Sequence, residues 1–165
     1  MQRVLVVGCP GAGKSVFARK LSAVTGLPLY YLDLLWHRPD RTTASEEEFD
    51  GRLREILREE HWIIDGNYLR TFEQRLSVCD AVFYLDIPVG ICFEGVRARL
   101  GRPREDLPWL EDSLDDEFRR WIEDFPFSQK PRIEKCLQRF REGRAITVFH
   151  DRAESDLYIE HLRRP

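Results

Sequence analysis
The strand-like run over residues 3–7, Arg-Val-Leu-Val-Val, empties directly into Gly8-Cys9-Pro10-Gly11-Ala12-Gly13-Lys14-Ser15. A strand that passes through a glycine-rich loop into a helix leaves few folds open. Gly8, four residues, then Gly13-Lys14-Ser15 is the spacing of a phosphate-binding loop. Successive backbone N–H groups must wrap an anion's oxygens there, and glycine alone accepts the required backbone angles and close approach. The loop ends at a helix N-terminus, whose partial positive charge favours an anion. The cradle is therefore read as Gly8, Gly11, Ala12, Gly13, Lys14, Ser15 and Val16, holding ATP. Lys14 reaches the β- and γ-phosphates and the Ser15 hydroxyl ligates Mg²⁺. An incidental glycine turn is the competing reading, and the strand before and amphipathic helix after argue against it. Cys9 reads as a small residue fitting the loop, with a thiol activated by the helix terminus as the alternative.

Strand and helix patterns alternate along the whole chain, as in an α/β fold with a parallel sheet. Strands are expected over residues 3–7, 29–32, 61–64, 81–85 and 145–149. Asp33, Asp65 and Asp86 each follow one of these runs, so all three are expected at strand ends. Ser45 and Glu48, and Thr71 and Gln74, have capping-box spacing and open helices. Pro88 suits the first turn of a helix that runs to about residue 100. A further helix carries Leu114, Phe118, Trp121, Ile122 and Phe125, and Phe125-Pro126 is expected to break it. Between them lies an insertion-like segment over residues 97–117, with Arg97, Arg99, Arg102 and Arg104 crowded around Gly101 and Pro103.

The 165 residues suit a single domain spanning residues 1–165. A net charge of −3 lacks the basic footprint of a dedicated nucleic-acid binder, so no nucleic-acid partner is expected. The four cysteines are scattered, with no CxxC pair, which argues against a disulfide scaffold or structural zinc. There is no leader-like segment and no apolar run of spanning length, so the expectation is a cytoplasmic protein with no membrane partner.

Trp62-Ile63-Ile64-Asp65-Gly66-Asn67-Tyr68 is similar to the strand end of adenylate kinases, and the stretch from Cys79 to Pro88 is similar to their next strand. The resemblance implies a P-loop three-layer fold with a five-stranded parallel sheet and a short arginine-containing lid over residues 97–117. It also assigns Asp65, not Asp86, to the magnesium site, leaving Asp86 as a cap or turn former before Pro88. Across nearly the whole chain the sequence resembles a group of small bacterial P-loop proteins labelled topology modulation proteins, or adenylate-kinase-like kinases. The matching pieces are the glycine loop, Leu32-Asp33 with Trp36 and Pro39, residues 62–68, residues 83–88, and Phe118 to Trp121 with Pro126 and Pro131-Arg132-Ile133. Where that group carries a second tryptophan after the proline, this chain has Arg41. The arginine that follows Gly-Phe-Pro in adenylate kinases has no counterpart in register, Arg70 being displaced by two residues.

In such folds the lid arginines close over the transferred phosphate. Phosphoryl transfer is chiefly positioning plus electrostatic clamping, and the planar fork of arginine grips phosphate oxygens in pairs. Arg99 fits the adenylate-kinase position best, followed by Arg102 and Arg104; a solvated basic helix end is the bland alternative. Arg152, just after the last strand, is placed by the resemblance near the adenine, with plain exposure as the alternative. The acceptor is expected among Asp33, Trp36, Asn67, Tyr68 and Arg70, with Asp33 as general base for a hydroxyl acceptor. His37 reads as a surface residue. The function expected is a Mg-ATP-dependent phosphotransferase on a nucleotide, nucleoside or other small molecule. The rival is an ATP-binding NTPase or a regulator on a kinase fold, linked to DNA topology by the group's label alone. A GTPase is excluded by the absence of an Asn/Thr-Lys-x-Asp base-reading motif.

Overall fold
The computed structural model describes residues 1–163. Its frame is a five-stranded, all-parallel sheet in the order β2-β3-β1-β4-β5. The strands are β1 (Arg3–Gly8), β2 (Leu29–Tyr31), β3 (Trp62–Asp65), β4 (Ala81–Leu85) and β5 (Ala145–Phe149). Central β3 and β4 are buried at every residue and β1 at all but its first, as strands of a parallel sheet covered on both faces must be. Their near-continuous apolar sequences follow from that burial. The chain leaves β1 toward β3 and β2 and later crosses to β4. The sheet therefore switches direction beside β1, and the crevice at the carboxyl ends there is where such sheets bind ligands.

Among the described residues eight helices connect and cover the strands: α1 (Lys14–Thr25), α2 (Leu32–Trp36), α3 (Glu46–Arg58), α4 (Phe72–Val78), α5 (Val89–Arg99), α6 (Asp116–Ser128), α7 (Lys130–Arg139) and α8 (Arg152–Arg163). On one face α1 and α8 bring Phe17 and Tyr158 against Phe83 and Phe149 of β4 and β5, with ring centroids 4.9 to 6.4 Å apart. Among the described residues no helix is long and apolar enough to cross a membrane.

Four local expectations change. β2 stops at Tyr31, so Asp33 sits in the first turn of α2 and not at a strand end. The backbone N–H of His37 donates to the Asp33 carbonyl and closes that turn, while Leu32 is buried beneath it. Ser45 caps α3 as expected, accepting from the Glu48 N–H, but Thr71 does not cap α4. Its hydroxyl donates to the Tyr68 carbonyl at the end of a 3₁₀ turn, Leu69–Thr71. Pro126 does not break α6, which continues to Ser128. It lies in the last turn, where the bond lost at its nitrogen is followed at once by one from the Gln129 N–H to the Phe125 carbonyl. Asp86 caps nothing: its carboxylate takes both short contacts of Lys130, 2.7 Å each, and His150 lies 3.5 Å away. Residues 100–115, the segment between α5 and α6, carry no regular secondary structure.

The glycine loop and α5 lie against each other at glycines on both sides. Gly11, at φ +81°, has the Cys92 carbonyl so near that a Cβ would stand 2.0 Å from it. From the other side, a Cβ on Gly95 would stand 2.2 Å from the Gly11 carbonyl. A glycine inside a helix ordinarily costs about 1 kcal/mol against alanine; here it lets a helix touch the phosphate loop. Gly95→Ala is expected to destabilise the protein by about 1–3 kcal/mol in urea unfolding, the overpacking outweighing the better helix propensity. A more stable variant would contradict this geometry.

Candidate active site
The loop between β1 and α1 has its backbone fixed from behind. The buried amide of Asn67 accepts from the Gly8 N–H at 3.0 Å and donates to the Gly8 carbonyl at 2.8 Å. Beneath Asn67 lies Arg75, fully buried, whose guanidinium donates to the carbonyls of Gly66, Asn67 and Tyr68. Burial lowers the Arg75 pKa to about 9. Above the loop, Arg152 donates to the carbonyls of Gly11 and Ile91 at 2.7 and 3.1 Å. Lys14 folds back on its own loop, its Nζ 3.2 Å from the Cys9 carbonyl. Gly11, Ala12, Gly13, Lys14, Ser15, Val16 and Arg152 all border a cavity of about 490 Å³. Gly8 lies behind it, engaged by Asn67. The Cys9 thiol is buried, and its hydrogen bond with Cys92, together with burial, pushes its pKa up. Burial favours the reading of Cys9 as a small residue that fits the loop.

Two carboxylates meet at Ser15. Its hydroxyl donates to Asp106 Oδ2 at 2.8 Å. Asp65 closes β3 beside it, 5% exposed, with Oδ1 buried and without a hydrogen-bond partner. Burial pushes Asp65 up to about 6, against the pull of the Lys14 charge and the Ser15 hydroxyl. Asp106 is the opposite case. Burial acts to raise it, but two bonds from Arg104 and one from Ser15 hold it at about 2. A buried carboxylate oxygen with no partner is a place that a cation fits. Among the described residues no group of three or more His, Cys, Asp or Glu converges to hold a metal. A hydroxyl with one or two carboxylates nonetheless suits Mg²⁺, which keeps waters and substrate phosphates in its shell.

Residues 100–115 cover this position. Arg104 and Arg99 both reach Glu111, at 2.5 and 3.3 Å, and Arg104 also grips Asp106. Arg102 is exposed and borders neither cavity, so it does not join the arginine cluster. The chain there is short, and the turn at Gly101 points its neighbour outward while Arg104 turns in.

A second cavity, about 570 Å³, opens on the β2–β3 side. Asp33, Trp36, His37, Tyr68, Trp109 and Glu111 border it. Tyr68 donates to Asp33 Oδ1 at 2.8 Å, and burial and the Asp33 charge raise the tyrosine pKa. Trp36 sets its edge against Phe49 and Tyr68, at 5.9 and 6.3 Å. His37 is not a surface residue: it meets Trp109 edge-on at 4.9 Å, and burial lowers its pKa despite Asp33 and Glu111. Two expected acceptor contacts move. Arg70 pairs on the surface with Asp50, at 2.6 and 2.9 Å, and does not border the cavity. Asn67 borders it, but its amide is committed to Gly8. Sequence reasoning missed Asp106, Glu111, Trp109 and the buried role of Arg75.

A phosphate loop between a central parallel strand and its helix, a carboxylate closing the neighbouring strand and an arginine-bearing segment above define the P-loop kinase fold. Solved structures with that fold include shikimate kinase from Acinetobacter baumannii in complex with shikimate: TM-score 0.63, 17% identity, 98% of this chain and 90% of that one. Shikimate kinase from Bacteroides thetaiotaomicron gives 0.59 and 18%, over 98% and 96% of the two chains. A sugar kinase from Janibacter sp. HTCC2649 gives 0.56 and 15%, over 98% and 91%. At these identities the likeness is one of fold. No family model matches the sequence, and no curated protein does.

The raised Asp65 makes a signed prediction. The unfolded chain releases this proton near the usual 3.8, the folded one at about 6. Between those values the folded state keeps a proton that the unfolded chain has lost, so stability falls as pH rises through the window. Above it the penalty is constant. Asp65→Asn is expected to stabilise the ligand-free protein at pH 7 by about 3 kcal/mol, with a smaller gain at pH 4. Urea unfolding at the two pH values checks this; equal gains would refute it.

Proposed function
We propose that the chain is a Mg-ATP-dependent phosphotransferase acting on the hydroxyl of a small molecule. The observation that carries the reading is the junction of the two cavities. Lys14, Ser15, Arg99, Arg104 and Asp106 border both. A phosphoryl group passing from a donor on the loop side to an acceptor on the Asp33 side would cross that set of residues.

In this reading the loop N–H groups and Lys14 hold the β- and γ-phosphates, and Ser15 and Asp65 hold Mg²⁺. The metal supplies charge neutralisation on the phosphate oxygens when bound. Arg99 and Arg104 leave Glu111 and clamp the transferred group, where charge is spread over its oxygens. Asp33 takes the acceptor's proton. Tyr68 occupies Oδ1 and leaves Oδ2 without a protein partner among the described residues, so the carboxylate is oriented and still able to accept. The acceptor oxygen bonds to the γ-phosphorus as the bond to the departing ADP breaks. Arg152 borders the donor cavity beyond the loop and serves the nucleotide. The kinase fold and the resemblance to the adenylate-kinase-like group both support this reading.

Lys14→Ala is expected to abolish Mg-ATP binding in calorimetric titration. Asp65→Asn is expected to weaken it strongly, whereas Asp86→Asn, which breaks an ion pair with Lys130, leaves it intact. The reverse order would move the metal to Asp86. With an acceptor found by screening alcohols against γ-labelled ATP, Asp33→Asn is expected to lower kcat about 10²–10⁴-fold with little change in ATP affinity. An unchanged kcat would remove Asp33 as the base.

A further inference from the structure
The acceptor cavity has a chemical bias, and it excludes the most obvious kinds of acceptor. An anionic acceptor, such as a nucleoside monophosphate, a sugar phosphate or a hydroxy acid, needs cations without other partners. Here the arginines already face carboxylates or carbonyls. Arg104 is hydrogen-bonded to Glu111 and Asp106, Arg99 lies 3.3 Å from Glu111, Arg70 pairs with Asp50 outside, and Arg75 gives its two terminal nitrogens to three backbone carbonyls. Lys14 belongs to the donor. Among the described residues Arg41 alone borders this cavity as a cation with neither a carboxylate partner nor a donor role, and it is exposed at the edge. Carboxylates are plentiful: Asp33, Glu111, Asp112 and Asp115 all border the space. When Arg99 and Arg104 turn to the donor's phosphates, Glu111 loses its counter-charges and the acceptor side becomes more negative. Desolvating an anion in that field is unfavourable.

The walls are aromatic. Trp36, His37, Trp109, Phe118, Trp121 and Tyr68 border the cavity, and Phe118 and Trp121 stack at 6.1 Å. Aromatic faces accept flat or apolar ring faces and attract cations. His37, its pKa lowered by burial, adds an uncharged face. We infer that the acceptor is a ring-bearing alcohol with no negative charge, uncharged or cationic, such as a nucleoside or an aminocyclitol. This rests on the phosphotransferase reading and narrows it.

The test uses the full chain saturated with Mg²⁺ and a non-hydrolysable ATP analogue, so that probes report on the acceptor side alone. Tryptophan fluorescence is titrated with adenosine, guanosine, cytidine, uridine and 2-deoxystreptamine. The matched anionic set is the four 5′-monophosphates and shikimate. At least one member of the first set is expected to bind about tenfold or more tighter than any member of the second. Trp109→Ala should weaken that member roughly fivefold or more, without altering the Kd for the ATP analogue. A nucleoside hit and an aminocyclitol hit distinguish the uncharged from the cationic form of the acceptor, and either supports the inference. Tighter binding of the anionic set, equal binding of both sets, or binding of neither overturns it. The donor half of the reaction is judged separately, by the titration of the ATP analogue itself.

Discussion

One side chain, the amide of Asn67, meets both polar groups of Gly8, and the rest of the site is aligned through that contact. The phosphate loop begins at Gly8, so its first peptide is held by a residue two positions past the end of β3. Asp65, Asn67 and Tyr68 leave the same strand end in succession. One ends in a buried carboxylate oxygen without a partner, one fastens the loop and one orients Asp33. Arg75 secures the arrangement by binding the carbonyls of residues 66–68 from below. Buried polar groups satisfied in this way polarise one another and fix a single geometry. The glycine loop and the cavity around Asp33 are therefore aligned by one four-residue connection.

The electrostatics of the site divide between a carboxylate that is neutralised by neighbours and one that is not. Asp106 lies on a stretch without regular structure, yet two arginine bonds and a serine bond keep it charged. Asp65 lies in the rigid sheet, has no such neighbours around Oδ1, and holds its proton up to about 6. The two share Ser15 between them.

The phosphate loop, the parallel sheet and the strand segments were legible because each rests on local spacing: glycine positions, apolar runs and turn residues. Arg99 and Arg104 were legible as a cluster, but not the outward turn of Arg102. What stayed hidden depends on tertiary approach. Nothing near Asn67 in the chain announces that its amide will face Gly8, and nothing near Arg75 announces full burial. Gly95 did carry a signal, since an isolated glycine in a helical pattern often marks a close contact. Asp33 left its expected strand end because Leu32 is drawn into the core and the chain turns helical one residue early. Asp106 sits in Arg-Glu-Asp, a run that reads as solvated surface until Ser15 is placed beside it.

The arginines above the loop carry their own counter-anions. A cluster of bare guanidinium groups over an open crevice would collect inorganic phosphate, polyanions and nucleic acid indiscriminately. Here a visiting anion must displace Glu111 from two arginines and Asp106 from one of them, at neighbouring points. A single phosphate offers one replacement; a triphosphate with its metal offers several together. On the proposed reading, the acidic residues in the covering segment would act as a valence filter, matching release of the arginines to ligands that present more than one anionic group at once.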